Sequence, residues 1–232
     1  MTQTSYEFSV VIVDDGELDI TQHNLCVSGI AQLREKVDVV IHRTSGRLGL
    51  AKCRNIASDL SPSNIVMKMD DDHFCDSNFV SLMNDSFKDH PEAGCIGCVF
   101  PFVRSGISVT DSIPEKFGIL SESGWEEQQQ QLYPGYDNNV IEAFSVRGIM
   151  GYRKVPEIRH NENLSKISHR EDTIFSLEYI SHGFKNYVNI RAIAYHLYST
   201  VGGCRSFDSD EAYKQRQADE EIYRQFLADM EM

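Results

Sequence analysis

The chain has 232 residues, of which 41% are hydrophobic, and a formal net charge of −13 at pH 7. That is enough apolar material for one sizeable core, and the acidic balance excludes an electrostatic nucleic-acid binder, which needs clustered Lys and Arg. No apolar run approaches a membrane span, and residues 1–7 lack the basic and apolar regions of a signal peptide.

Phe8 to Val13 is predicted as a strand that stops at Asp14-Asp15-Gly16. A polar, partly amphipathic stretch follows to Arg34, then a second strand at Val37–Ile41. Gly49–Leu60 reads as a helix, with Leu50, Cys53, Ile56, Ala57 and Leu60 on one side. Ile65, Val66, Met67 and Met69 form a third strand that runs into Asp70, Asp71 and Asp72. Phe79–Phe87 is a helix through Phe79, Leu82, Met83 and Phe87, and Cys95–Phe100 is a fourth strand closed by Pro101. Strand and helix therefore alternate from residue 8 to residue 100. This order predicts an α/β fold with a largely parallel, doubly wound sheet and its ligands at one edge.

The aspartate triplet is the most informative feature. Adjacent carboxylates repel one another, so their clustering is costly unless a cation or basic groups compensate. Hard oxygen ligands suit Mg²⁺ or Mn²⁺. An acidic turn ending a strand is the plain alternative.

Between Arg104 and Asn139 the pattern dissolves into Gly, Ser, Pro and the polar run Glu126–Gln131, a short exposed helix or a loop. Trp125, Tyr133 and Tyr136 either stack on a sugar or cover a core edge. Glu171 and Asp172 then open a helix with Ile174, Leu177 and Ile180 on one side. They are either capping acids favoured by the helix dipole or a proton acceptor aimed into a cleft, and their distance from the triplet decides. Ser199–Ser206 is a Gly-rich connector or a lid that brings Arg205 over a diphosphate. Ser209–Met230 is a charged helix that docks on the domain or on another chain. Six cysteines with a single C-x-x-C pair, Cys95 and Cys98, lack zinc-site spacing. They suit free thiols in a reducing, cytoplasmic setting.

Taken together, Val-Ile-Val-Asp-Asp-Gly (11–16), Gly-Leu-Ala-Lys-Cys-Arg-Asn (49–55), Met-Asp-Asp-Asp (69–72), Gly-Ile-Met-Gly-Tyr-Arg (148–153), Arg-Glu-Asp (170–172) and Tyr-His (195–196) resemble family 2 glycosyltransferases. The resemblance spans about residues 8–200 and implies a GT-A, nucleotide-diphospho-sugar transferase fold over 1–232. Residues 8–100 would form the donor and metal half, 101–200 the acceptor side, and 201–232 a terminal loop and helix. It implies that Asp14 and Asp15 hold the uracil or ribose of a UDP-sugar and that Arg54 lies near the nucleotide, with Arg47 a weaker candidate. Asp70 and Asp72 match the D-x-D element, with Asp71 beside them on the donor side. Asp70, Asp72 and His196 would hold the metal, and an imidazole among them tilts the choice toward Mn²⁺. Asp172 matches the catalytic base of an inverting transfer, and Glu171 is a fallback base or orients the acceptor. The acceptor is a glycan, a lipid-linked sugar or a small molecule.

Family members carry a further strand and helix before the strand that ends in Asp-Asp-Gly, and this chain starts almost at the latter. The expectation is a missing first strand, supplied by a preceding segment or partner or dispensed with. Two readings follow, a metal-dependent transferase and a nucleotide- or glycan-binding module that retains the scaffold. A nucleotidyltransferase fits less well, because no Gly-rich triphosphate loop followed by Lys lies near the first strand.

Overall fold

The computed structural model describes residues 8–16, 20–21, 24–100, 102–104, 139–198 and 210–230. In chain order the elements are β1 (Ser9–Asp14), α1 (Asn24–Arg34), β2 (Asp38–Arg43), α2 (Leu50–Leu60), β3 (Ile65–Lys68), β4 (His73–Cys75), α3 (Phe79–Asp89), β5 (Ala93–Val99), β6 (Phe102–Arg104), β7 (Val140–Ala143) and β8 (Met150–Arg153). They are followed by α4 (Glu171–Ser181), β9 (Lys185–Tyr198) and α5 (Asp210–Met230). Trp125, Tyr133, Tyr136, the 126–131 run, and the Ser199–Ser206 loop with Arg205 lie outside the described residues, as do residues 1–7.

The α/β class expected from the alternation holds, but the ladders are mixed. β1 and β2 pair in parallel as a separate two-stranded sheet, and the larger sheet runs β3-β8-β5-β9-β4, with β6 and β7 also on β9. β3 and β5 run the same way because α3 carries the chain back between them, as a crossover helix does. β8 enters between them antiparallel to both. Among the described residues no helix lies between β7 and β8, so the rule behind the parallel prediction does not govern this step.

β5 is buried along its whole length and divides the core. Ala93, Ile96 and Cys98 face Phe79, Met83 and Phe87 of α3, while Cys95 faces Phe175 and Tyr179 of α4. Cys95 and Cys98 thus point to opposite sides, and Cys53, Cys75, Cys95 and Cys98 are free thiols. No described helix is long and apolar enough to cross a membrane.

β9 bends in its middle, and the bend positions the site. Lys185–Asn189 ladders with β5, after which the register shifts and Val99 pairs with Ile193. Asn189 stabilises the break by accepting the Arg191 and Ala192 backbone N–H groups on its side-chain oxygen, at 2.9 and 3.2 Å. Beyond the bend, Ala194–His196 pairs antiparallel with β4. His196 therefore reaches the segment that follows the aspartates.

Candidate active site

The first cluster gathers four parts of the chain around two cations. Arg54, on the second turn of α2, donates to Asp70 Oδ1 at 2.9 Å and to Asp172 Oδ1 at 2.9 Å, and also contacts Glu171. Lys68, the last residue of β3, reaches Asp172 Oδ1 at 2.6 Å and Glu171 Oε2 at 3.4 Å. The Gly148 backbone N–H donates to Asp172 Oδ2 at 2.7 Å. Gly148 adopts φ +67°, and a Cβ there would lie 3.2 Å from the Phe100 ring, so the close approach to Asp172 needs glycine. The carboxylates expected to repel are thus partly compensated by basic groups. Asp70 and Asp172, 102 positions apart in sequence (172 − 70), share one guanidinium.

The two acids at the start of α4 differ in environment. The Asp172 side chain is 27% exposed and the Glu171 side chain 1%. Glu171 lies behind the site against the buried His160 imidazole, whose ring stacks on Phe175 with centroids 3.7 Å apart. Asn55 locks this wall by exchanging two hydrogen bonds with the His160 backbone, each 3.0 Å long. Burial alone would raise the Asp172 carboxyl, but the charges of Lys68 and Arg54 and the donors from Lys68 and Gly148 outweigh it. They hold that carboxyl well below the usual carboxylate range. Burial and then repulsion from Arg54 draw the Lys68 ammonium down to about 8. The Asp70 carboxyl, which burial would raise, is lowered by Arg54. Burial, with Lys68 and Arg54 nearby, keeps His160 neutral despite its contact with Glu171.

The second cluster lies just beyond. The β4–β9 register sets His73 opposite His196, and the two rings stack with centroids 4.3 Å apart and planes 10° from parallel. Asp72 reaches both, Oδ1 to His73 Nδ1 at 2.8 Å and Oδ2 to His196 Nε2 at 2.9 Å. One ligand atom from each of the three lies within 4.8 Å of the others. Asp72 Oδ1 and His73 Nδ1 are buried and face each other at 2.8 Å with no other hydrogen-bond partner. Two lone-pair-bearing atoms left this way, with a second imidazole beside them, fit a divalent cation of intermediate softness. Of the metal set expected from sequence, Asp70, Asp72 and His196, the structure brings Asp72 and His196 together, with His73 beside them. Asp70 is instead engaged by Arg54. His73 and Lys68 went unassigned in the sequence, since only ladder register and burial expose them. The adjacency of His73 to Asp72 was the one available hint.

The remaining expected donor contacts have internal partners. Asp14 is buried, pairs with Arg43 at 2.6 Å and accepts the Gly16 and Ile20 N–H groups. Asp15 accepts the Leu48 and Gly49 N–H groups at 2.9 and 3.0 Å and the Thr44 hydroxyl. These bonds tie the end of β1 to the start of α2, the helix that carries Arg54. Asp71 is exposed. Arg47 sits in the left-handed region at φ 43°, in the turn before α2.

α5 docks on the chain's own segment leading into Glu171. Asp219 is fully buried and accepts the Ser165 N–H at 2.6 Å, the Ser165 hydroxyl at 2.7 Å and the His169 N–H at 2.7 Å. Beside it Glu220 pairs with Arg170 at 2.9 Å, and the Arg170 guanidinium lies 5.2 Å from the Tyr223 ring centroid.

A family model described as Glycosyl transferase family 2 matches residues 1–154, more than half of the chain, which therefore belongs to that family. No curated protein matches the sequence. Among solved structures, GalNAc-T7 with UDP, GalNAc and Mn²⁺ superposes with a TM-score of 0.64 at 13% identity, covering 94% of this chain and 43% of that one. The S. aureus TarS 1-349 complex with UDP-GlcNAc gives 0.59 at 13% identity, over 96% and 72% of the two chains. The Pyrobaculum calidifontis mannosyltransferase PcManGT with GDP-Man and Mn²⁺ gives 0.58 at 14%, over 84% and 49%. Likeness at this level establishes the fold, which is GT-A. The chain spans less than half of GalNAc-T7 and of PcManGT.

Proposed function

We propose that this chain is a metal-dependent, inverting glycosyltransferase that moves a hexosyl group from a nucleotide-sugar, a UDP-sugar, to a hydroxyl of a glycan, lipid-linked or small-molecule acceptor. Residues 1–232 act as one domain, with donor and metal handled by 8–100 and the acceptor by 101–200. The reading is carried by one observation: Asp70, Asp172 and Arg54 meet at one point, and the Asp72–His73–His196 set follows directly from the same aspartate run. Membership of the family supports the same chemistry, and the free thiols suit a cytoplasmic setting.

In this mechanism Arg54 and Asp70 orient the donor, and Gly148 fixes the plane of the Asp172 carboxylate. The acceptor hydroxyl displaces one of the donors on Asp172 and hydrogen-bonds to the freed oxygen. As the acceptor oxygen bonds to the anomeric carbon, the bond from that carbon to the diphosphate breaks. Its electron pair leaves with the nucleoside diphosphate, and the acceptor proton passes to Asp172. Asp72, His73 and His196 would hold Mn²⁺ or Mg²⁺, which when bound supplies positive charge against the diphosphate. Glu171, sealed behind Arg54, keeps that guanidinium and Lys68 in place.

A module that binds donor or glycan without transfer is favoured by a different observation, namely that both Asp172 oxygens already hold donors. Mn²⁺-dependent hydrolysis across a panel of nucleotide-sugars separates the two. Asp172→Asn should lower turnover by about 10²–10⁴-fold while donor affinity stays the same. Equal loss of affinity and turnover removes the base from the mechanism, and no turnover with any donor favours the binding module.

A further inference from the structure

We infer that Lys68 is a positioning residue for transfer: from its place in the central sheet it holds the Asp172 carboxylate ionised and in one orientation toward the acceptor cleft. The inference rests on the reading of Asp172 as the base.

Lys68 is unusual for where it stands. Its side chain is 6% exposed, at the end of a strand whose other residues are aliphatic or methionine. Its backbone is fixed by the ladder, in which Lys68 pairs with Met150. A buried cation is costly, and a buried ion pair is often no more stable than apolar groups of the same volume. Stability alone therefore does not account for a lysine here. Its partners do: Nζ reaches Asp172 at 2.6 Å and Glu171 at 3.4 Å.

The two cations on Asp172 have different duties. Arg54 divides its donors between Asp70 and Asp172, so its hold on the base is tied to the donor side. Lys68 makes no hydrogen bond to Asp70 and sits on the core side of the carboxylate. The charged and titratable groups facing the pair are Arg54 from α2, Glu171 from α4, His160 from the loop before it, Asp70 beyond β3 and Cys95 from β5. Among them only Arg54 could replace Lys68 as a positive partner, and it is already shared. With Lys68 and Gly148 on opposite oxygens, the carboxylate plane cannot rotate, and the Arg54 position is the one through which an incoming hydroxyl can exchange.

The test compares Lys68→Met, Lys68→Gln and Lys68→Arg in the full chain. Two readouts are taken, the titration of ¹³C-labelled Asp172, assigned by its loss in Asp172→Asn, and the acid limb of kcat/KM. In Lys68→Met and Lys68→Gln the carboxyl should titrate at least about one pH unit higher, since a nearby opposite charge lowers such a group by about 1–3 units. The acid limb should follow, and kcat should fall more than donor KM changes. Lys68→Arg should keep both near the wild-type position. An Asp172 titration unmoved in the neutral variants that fold, or an arginine variant as impaired as they are, overturns the inference. Should the wild-type chain turn over no donor, the transferase reading fails, while the labelled carboxyl still decides whether Lys68 holds Asp172 ionised.

Discussion

His73 and His196 stand directly opposite each other in the β4–β9 ladder, with parallel rings 4.3 Å apart and Asp72 against both. Cross-strand neighbours on one face are the closest contacts a sheet offers, so the pair is fixed by register rather than by a flexible loop. Burial, and then the neighbouring imidazole, lower the His73 ring, which favours the neutral imidazole a metal site needs.

A metal-binding prediction follows from the donor set. His73→Ala should weaken Mn²⁺ binding by at least about tenfold, since even outer-shell partners of metal ligands are worth about 10–100-fold. Asp70→Asn should leave affinity nearly unchanged, because Asp70 points to Arg54. Two imidazoles should also make the site prefer Mn²⁺ over Mg²⁺. Calorimetric titration of each variant without donor reads this directly, and equal losses in both variants would restore Asp70 to the ligand set.

The helix α5 is expected to govern the site at a distance. Asp219→Ala leaves the Ser165 and His169 N–H groups and the Ser165 hydroxyl without their buried acceptor. An unsatisfied buried donor costs about 1–3 kcal/mol, so the variant should lose about 3 kcal/mol in urea unfolding. Because this segment leads into Glu171 and Asp172, turnover should fall more than donor affinity. A loss of stability below about 1 kcal/mol would show that the anchor is dispensable.

Much of this architecture was legible in the sequence, and the gaps have physical causes. β1, β2, α2, β3, α3 and β5 appear within a few residues of where the sequence pattern puts them, because each carries an apolar face or, in β3 and β5, a largely apolar run. β4, at three residues, is too short to show a period, and Gly151 interrupts the apolar run of the four-residue β8. β9 was visible only as the run around Ile193–Tyr195. Its first half carries Asn186 and Asn189, polar residues that interrupt an apolar pattern, and Asn186 is fully buried and donates to Ser176 O at 2.7 Å and Phe144 O at 3.3 Å. In the site, Asp72, His196, Arg54 and Asp172 could be marked from motif order. Lys68 and His73 could not, since their roles come from pairing and burial that no local pattern encodes.

Acid should destabilise the fold in two stages. His160 has its folded value held well below the ordinary 6.5. The unfolded chain therefore binds a proton that the fold refuses, and stability falls as pH drops below about 6.5. Asp172 is depressed from 3.8, so its contribution is present above about that pH and is lost as pH falls toward its lower folded value. Asp15 and Asp70, also lowered, add to the second stage. Urea midpoints from pH 7 to 3 should decline throughout. His160→Phe, which keeps the stack on Phe175, should reduce the slope of the upper part, to which His73 and His169, also lowered, contribute, and an unchanged slope there would mean that His160 takes up its proton equally in the folded and unfolded chain.

Two glycines give opposite outcomes for the same substitution. A Cβ on Gly94 would lie 2.5–2.7 Å from the Cβ and ring of Tyr179, which is fully buried and whose hydroxyl donates to Arg153 O at 2.5 Å. The ring is held at both ends and cannot retreat, so Gly94→Ala should cost about 1–3 kcal/mol by overpacking. Tyr179 belongs to α4, so the strain should also displace Asp172 and lower turnover. Gly29 is exposed in the interior of α1 with nothing within 4 Å of where an added methyl would lie, and Gly29→Ala should stabilise by about 0.5–1 kcal/mol through helix propensity. Denaturant unfolding of the two single variants and the double reads both effects. Additive changes are expected, since neither site shares a contact with the other.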